Sequence, residues 1–128
     1  QFSRNMHRGS GLSFSTDDAA RAAAKMAIKR EWDMRIDEPA RQFFYMPLMH
    51  SESLADQDRA VRLVKTRMPE TGDANIDHAR AHREIIRMFG RFPFRNDALG
   101  RVTREAEATF MAEGGYRGIM NELQKKAA

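Results

Sequence analysis

Arg91-Phe92-Pro93-Phe94-Arg95-Asn96-Asp97-Ala98-Leu99-Gly100 lies between Gly90 and Thr103. Gly90 suits the left-handed position that closes a helix over 75–89. Thr103 suits the N-cap of a helix over 104–113. A related stretch opens the chain: Gln1-Phe2-Ser3-Arg4-Asn5, with Gly9 following. Each copy leads, through a glycine-containing loop, to a helix begun by Ser or Thr. The doubled Phe…Arg-Asn loop implies two related helical halves. Each half would place a guanidinium and an amide at a helix junction, which makes Arg4, Asn5, Arg95 and Asn96 candidate site residues. The pattern points to an architecture and names no reaction.

Working outward, Thr16 or Ser15 reads as the N-cap of a helix over 17–31, with Asp17 and Asp18 in the turn where the dipole favours anions. Asp17, Arg21, Lys25 and Lys29 recur every four residues as a solvated stripe. Ala20, Ala23, Ala24, Ala27 and Ile28 form the opposite face, which suits a tight helix pair. A second helix is expected over 38–46, capped by Asp37 and stopped by Pro47. Ser51 is expected to cap a third over 52–67, with Leu54, Val61, Val64 and Met68 inward and Gln57 among them. Pro69-Glu70-Thr71-Gly72-Asp73 is a loop. The helix over 75–89 turns His78, Ala79, His82, Ile85, Ile86 and Phe89 inward. Gly114-Gly115 separates 104–113 from a last short helix over 116–125. No segment alternates with period two, so no strand is predicted. The expected class is all-α, built of antiparallel pairs from five to six helices.

The chain has 128 residues, enough for one domain with a real core, and 41% are hydrophobic, which argues against disorder. No apolar run approaches the ~20 residues of a bilayer span, so no membrane association is expected. No secretory signal is visible, although Gln1 is not an initiator and an upstream region is expected. Zero cysteines exclude disulfides, thiolate catalysis and Cys-ligated zinc, and fit a reducing cytoplasm. The net charge is +4. Outer arginines alternate with Glu31, Glu52, Glu84 and Glu105, which disfavours nucleic-acid binding.

Among candidate chemistries, His78 and His82 share a helix at the four-residue spacing that can present two imidazoles to one metal. The intervening glutamate of metalloprotease helices is absent, and apolar neighbours favour hydrogen-bonded core histidines. No metal or cofactor is therefore assigned. Gly9-Ser10-Gly11-Leu12-Ser13 lacks the lysine and strand of a phosphate loop, and no nucleophilic serine elbow occurs. Gln57 and His82 are polar at inward positions, where an unsatisfied group costs roughly 1–3 kcal/mol. His50, Glu52, Arg95 and Asn96 are their candidate partners. Two alternatives stay open. The network locks helix ends together, or it forms a pocket in which Arg4 and Arg95 hold an anion while His50 or His82 moves a proton.

Phe43-Phe44-Tyr45-Met46-Pro47-Leu48-Met49-His50-Ser51-Glu52, with Ala55-Asp56-Gln57 after it, resembles a bacterial family known as domain of unknown function 924. His82, Ile85-Ile86, Phe89-Gly90-Arg91-Phe92-Pro93-Phe94-Arg95-Asn96 and Leu99-Gly100-Arg101 extend the resemblance, as does the opening segment. That family usually has proline where Ser3 stands and often histidine where Phe94 stands. The resemblance implies a tetratricopeptide-like arrangement and no activity. It also implies absent N-terminal helices, whose loss would expose a face. The leading expectation is a helical-repeat module that binds a partner protein or small anionic ligand through a polar pocket at helix junctions. The alternative is an acid–base or hydrolytic enzyme using His50, Glu52, His82 and Arg95. A homodimer through the alanine face is a further expectation.

Overall fold

Helices and short turns account for the described residues, 14–127 of a computed structural model, and no strand occurs among them. The α-helices among them are α1 (Asp17–Lys29), α2 (Met46–Met49), α3 (Leu54–Arg67), α4 (Asp73–Phe89), α5 (Glu105–Ala112) and α6 (Gly115–Ala127). Three 3-10 segments, Trp32–Arg35, Ala40–Phe44 and Pro93–Arg95, link them.

In α1, Asp17 and Asp18 begin the helix and Lys29 ends it, each sign matching the local dipole. Thr16 holds the N-cap position, but its side chain makes no capping bond. Ala24, Ala27 and Ile28 are buried, whereas Ala20 and Ala23 are exposed, so the packed stripe is narrower than expected. The charged stripe is not simply solvated. Lys25 Nζ lies 2.8 Å from Asp56 Oδ1, and Arg21 Nε lies 3.7 Å from Asp56 Oδ2, both reaching across to α3.

The helix expected over 38–46 is instead a 3-10 segment followed by α2. Pro47 sits in the first turn of α2 rather than ending its predecessor. A missing N–H leaves nothing unmade there, so one proline reads equally as a stop or a start. The cap of α3 is also displaced: Ser53, not Ser51, holds the N-cap, and its Oγ accepts from Asp56 N. Buried Ser51 instead donates to Asp56 Oδ2 at 2.7 Å. Leu54, expected inward, is exposed.

A short loop over 68–72 joins α3 and α4, which pack along their lengths as an αα-hairpin. Tyr45, Leu48, Val61, Val64 and Met68 fill the core between this hairpin, α1 and α2. At its far end α4 contributes Ile85 and Ile86 to a second cluster with Phe92, against which Phe110, Tyr116 and Ile119 pack. Through its 17 residues α4 thus ties the two clusters together. The N-cap of α5 is Arg104 rather than Thr103.

Two glycines shape α4 for different reasons. Gly90 ends it with φ 72°, the left-handed conformation that Cβ-bearing residues resist. Gly72 has an ordinary φ of −59° but no room: a Cβ there would strike the Met68 carbonyl oxygen and come within 2.9 Å of that of Val64. Gly72→Ala is therefore expected to lower stability by about 1–3 kcal/mol, read by urea unfolding. A stability loss no larger than that of an exposed substitution would show that the hairpin loop relaxes freely.

Candidate functional site

The polar junction assembles around the loop after α4 and the segment between α2 and α3. Pro93–Arg95 forms a 3-10 turn, and Asn96 N donates to Pro93 O. This turn directs Arg95 back toward the end of α2, where Nη2 donates to the His50 carbonyl at 2.8 Å. The guanidinium lies 4.6 Å from the Phe92 ring centre and 4.7 Å from that of Phe14. Gln57 Nε2 donates to Met49 O and Ser51 O, both at 2.7 Å. Three successive carbonyls at the close of a one-turn helix thus find side-chain donors, meeting a need that helix ends impose.

Glu52 is held just as firmly. Its carboxylate accepts from Phe92 N at 2.7 Å and from Arg101 Nη1 and Nη2 at 2.8 and 3.1 Å. Burial pushes its pKa up, but the Arg101 and Phe92 hydrogen bonds and the charges of Arg101 and Arg95 outweigh it and keep the carboxyl below its ordinary range. Arg101 also donates to Asn96 Oδ1 at 3.1 Å and to Phe92 O at 3.1 Å. Asn96 therefore faces away from the cleft: its Nδ2 donates to Thr103 Oγ1 and, at 3.4 Å, to Glu107 Oε1.

His50, Glu52 and Arg95 share one cleft of ≈ 180 Å³ with Phe14, Arg21 and Ser51. His82 borders a neighbouring cleft of ≈ 180 Å³ with His78 and His50. His50 therefore separates the two, and its ring centre lies 6.0 Å from that of His82. His82 Nδ1 is 2.6 Å from the His78 carbonyl, to which it donates. Tyr116 lies 5.1 Å from the His82 ring and bonds His78 Nδ1 through its hydroxyl, whose pKa burial raises. Of the eight sequence candidates, His50, Glu52, Arg95 and His82 meet at these clefts, while Gln57 and Asn96 brace them from behind. Arg4 and Asn5 lie outside the described residues. Among the described residues no three His, Asp or Glu side chains gather in a metal-binding arrangement.

A family model described as bacterial protein of unknown function (DUF924) matches residues 1–115. The chain belongs to this family. Its fold is similar, with TM-score 0.80 and 40% identity, to a protein of unknown function from Agrobacterium tumefaciens; the match covers 89% of this chain and 62% of that one. No curated protein matches the sequence significantly. No helix among the described residues is long and apolar enough to cross a membrane.

Two groups in this DUF924 chain escaped the sequence reading. Arg101 stands immediately after Gly100, yet nothing local aims its guanidinium at Glu52, 49 residues away. Glu107 is fully buried, with Arg91 Nε and Nη2 at 2.8 and 2.7 Å and the Arg104 backbone N–H at 2.8 Å. The second group left a signal, a glutamate three residues into a helix. It was masked because arginine is not a capping side chain.

Proposed function

We propose that this chain is a binding module that holds a small anion, of carboxylate or phosphate size, in the His50–Glu52–Arg95 cleft. The observation that carries this is a gathering of guanidinium groups: Arg95 and Arg101 both act on Glu52, and Arg21 lines the same cleft. The Arg95 guanidinium is already positioned by the His50 carbonyl and two rings, so binding orders little further. Two further carboxylates, Asp17 and Asp18, line the cleft, and Asp18 pairs with Arg21 at 2.9 Å. A cleft of ≈ 180 Å³ is smaller than the ~300–1,000 Å³ of drug-sized sites and suits a compact ligand. The paired helices suit a tetratricopeptide-like arrangement that would present such a cleft at a helix junction. The cysteine-free sequence suits action in the cytoplasm.

Titration of inorganic phosphate and of succinate, followed by amide NMR, tests the proposal. Saturable shifts at Ser51, Glu52 and Arg95 are expected, with affinity about ten-fold weaker in His50→Ala, the loss expected for one charge-assisted hydrogen bond. Shifts that grow linearly and without saturation for both anions would remove the reading.

The closeness of His50 and His82 favours a second reading, acid–base catalysis. Glu52 would then be no base, because Arg101 holds both its oxygens; it would position Arg101 and the loop instead. Hydrolysis of a small carboxylic or phosphoric ester by the wild type, lost in both His50→Ala and His82→Ala, would replace the binding reading with this one.

A further inference from the structure

At the C-terminal end of α1 a groove of ≈ 590 Å³ is lined by Lys25, Met26, Lys29, Arg30 and Arg59, with no acidic residue in its wall. Lys25 is committed to Asp56. Among the described residues no carboxylate pairs with Lys29, Arg30 or Arg59, so three neighbouring cations face this groove without an ion pair, whereas Arg83 pairs with Asp58, Arg87 with Glu84 and Arg91 with Glu107. Met26 is 53% exposed, and Trp32, the sole tryptophan, is 39% exposed with the Arg30 guanidinium 5.2 Å from its ring centre. Cations around an exposed methionine, with a tryptophan against one of the arginines, have the composition of an interaction hot spot rather than of a solvated face.

We propose that this α1–α3 groove docks an acidic protein segment, one carrying two or three carboxylates and an aliphatic or aromatic side chain. Charge complementarity identifies the occupant. Two guanidiniums offer planar forks that match carboxylates. Met26 is unbranched and adapts to an apolar side chain. Nucleic acid fits less well, because three uncancelled cations in a short valley form no continuous track for a phosphate backbone. The inference does not rest on the His50 cleft, which lies at the other end of α1.

Trp32 reports on the groove through Arg30, whose guanidinium stands over its ring. The full chain is titrated with a Glu/Asp-rich peptide containing one leucine, at low ionic strength, while tryptophan emission is followed. A saturable change is expected, with affinity falling at least ten-fold in Lys29→Glu/Arg59→Glu and staying within two-fold in Lys125→Glu, a charge reversal remote from the groove. His50→Ala is expected to leave it unchanged, which separates this proposal from the anion cleft. Circular dichroism confirms that the double reversal remains helical; if it does not, Met26→Glu is the substitute and is expected to weaken binding likewise. The proposal is overturned if emission does not saturate, if the groove reversals leave affinity unchanged, or if a single-stranded oligonucleotide binds more tightly than the peptide.

Discussion

Arg67→Ala is expected to destabilise the protein by about 3 kcal/mol, a large fraction of the ~5–15 kcal/mol that holds such domains folded. Asp33 is fully buried. It receives Arg67 Nη1 at 2.8 and 3.0 Å and the Tyr45 hydroxyl at 2.6 Å. Burial first, and then the hydrogen bond to Asp33, push the Tyr45 pKa far up, so the phenol stays a donor at every working pH. Removing Arg67 leaves a buried carboxylate with one neutral partner. The lower end of the usual range applies because the Arg67 side chain is 25% exposed. Tyr45→Phe keeps the ion pair and loses one charge-assisted bond, so about 1.5 kcal/mol is expected. The double variant Asp33→Asn/Arg67→Ala should be less destabilised than the sum of the single changes, since no charge is then stranded. Urea unfolding of the four proteins decides it. A cost for Arg67→Ala within 0.5 kcal/mol of zero would mean that Asp33 finds water or another donor.

That prediction concerns a contact the sequence did not disclose. Asp33 lies between Trp32 and Met34 in a single 3-10 turn, and its partner Arg67 stands 34 residues away, among the four cations of α3. No periodicity selects one of them. Legible features were those set by chemistry within a few residues: the positive φ of Gly90, the glycine-containing loop that follows it, the inward Gln57, the helix class of each long segment. The placing of Arg95 at a helix end was likewise foreseeable, because an arginine after a proline turn beside a helix C-terminus has carbonyls to meet. The failures were of helix type over 38–46 and of cap position by one or two residues at α3 and α5. Ser51 and Ser53 are both competent caps for α3, and only the packing of Gln57 under Met49 and Ser51 starts the helix at the second. At the junction, the sequence supplied His50, Glu52, His82 and Arg95 but missed Arg101. The gathering of guanidiniums proposed to attract an anion depends on that tertiary contact.

Acid unfolding is expected to centre on Glu107. Hydrogen bonds from Arg91, together with the Arg104 N–H and nearby positive charge, outweigh burial and bring its carboxyl down to about 2 from an ordinary value of 4.5. Between those values the unfolded chain binds a proton that the folded chain does not. Unfolding therefore takes up a proton, and stability rises with pH through this window. The contribution is complete above about 4.5 and is lost progressively as pH falls toward about 2. Each such proton adds about 1.4 kcal/mol per pH unit to the slope of unfolding free energy. Glu107→Gln removes this proton, so its acid limb should be shallower by up to that amount. Some slope must remain, because Glu52 and Asp56 are also held below their ordinary values: burial opposes this in both, but Arg101 for the first and Lys25 and Ser51 for the second prevail. At neutral pH the same variant should be less stable than the wild type, since an amide gives Arg91 one acceptor where the carboxylate gave two. Chemical unfolding at a series of pH values from 2.5 to 7 compares the two proteins. Parallel acid limbs would show that Glu107 does not govern the transition, and that the Arg91–Glu107 pair does not anchor α5 to the loop carrying Arg95 and Arg101.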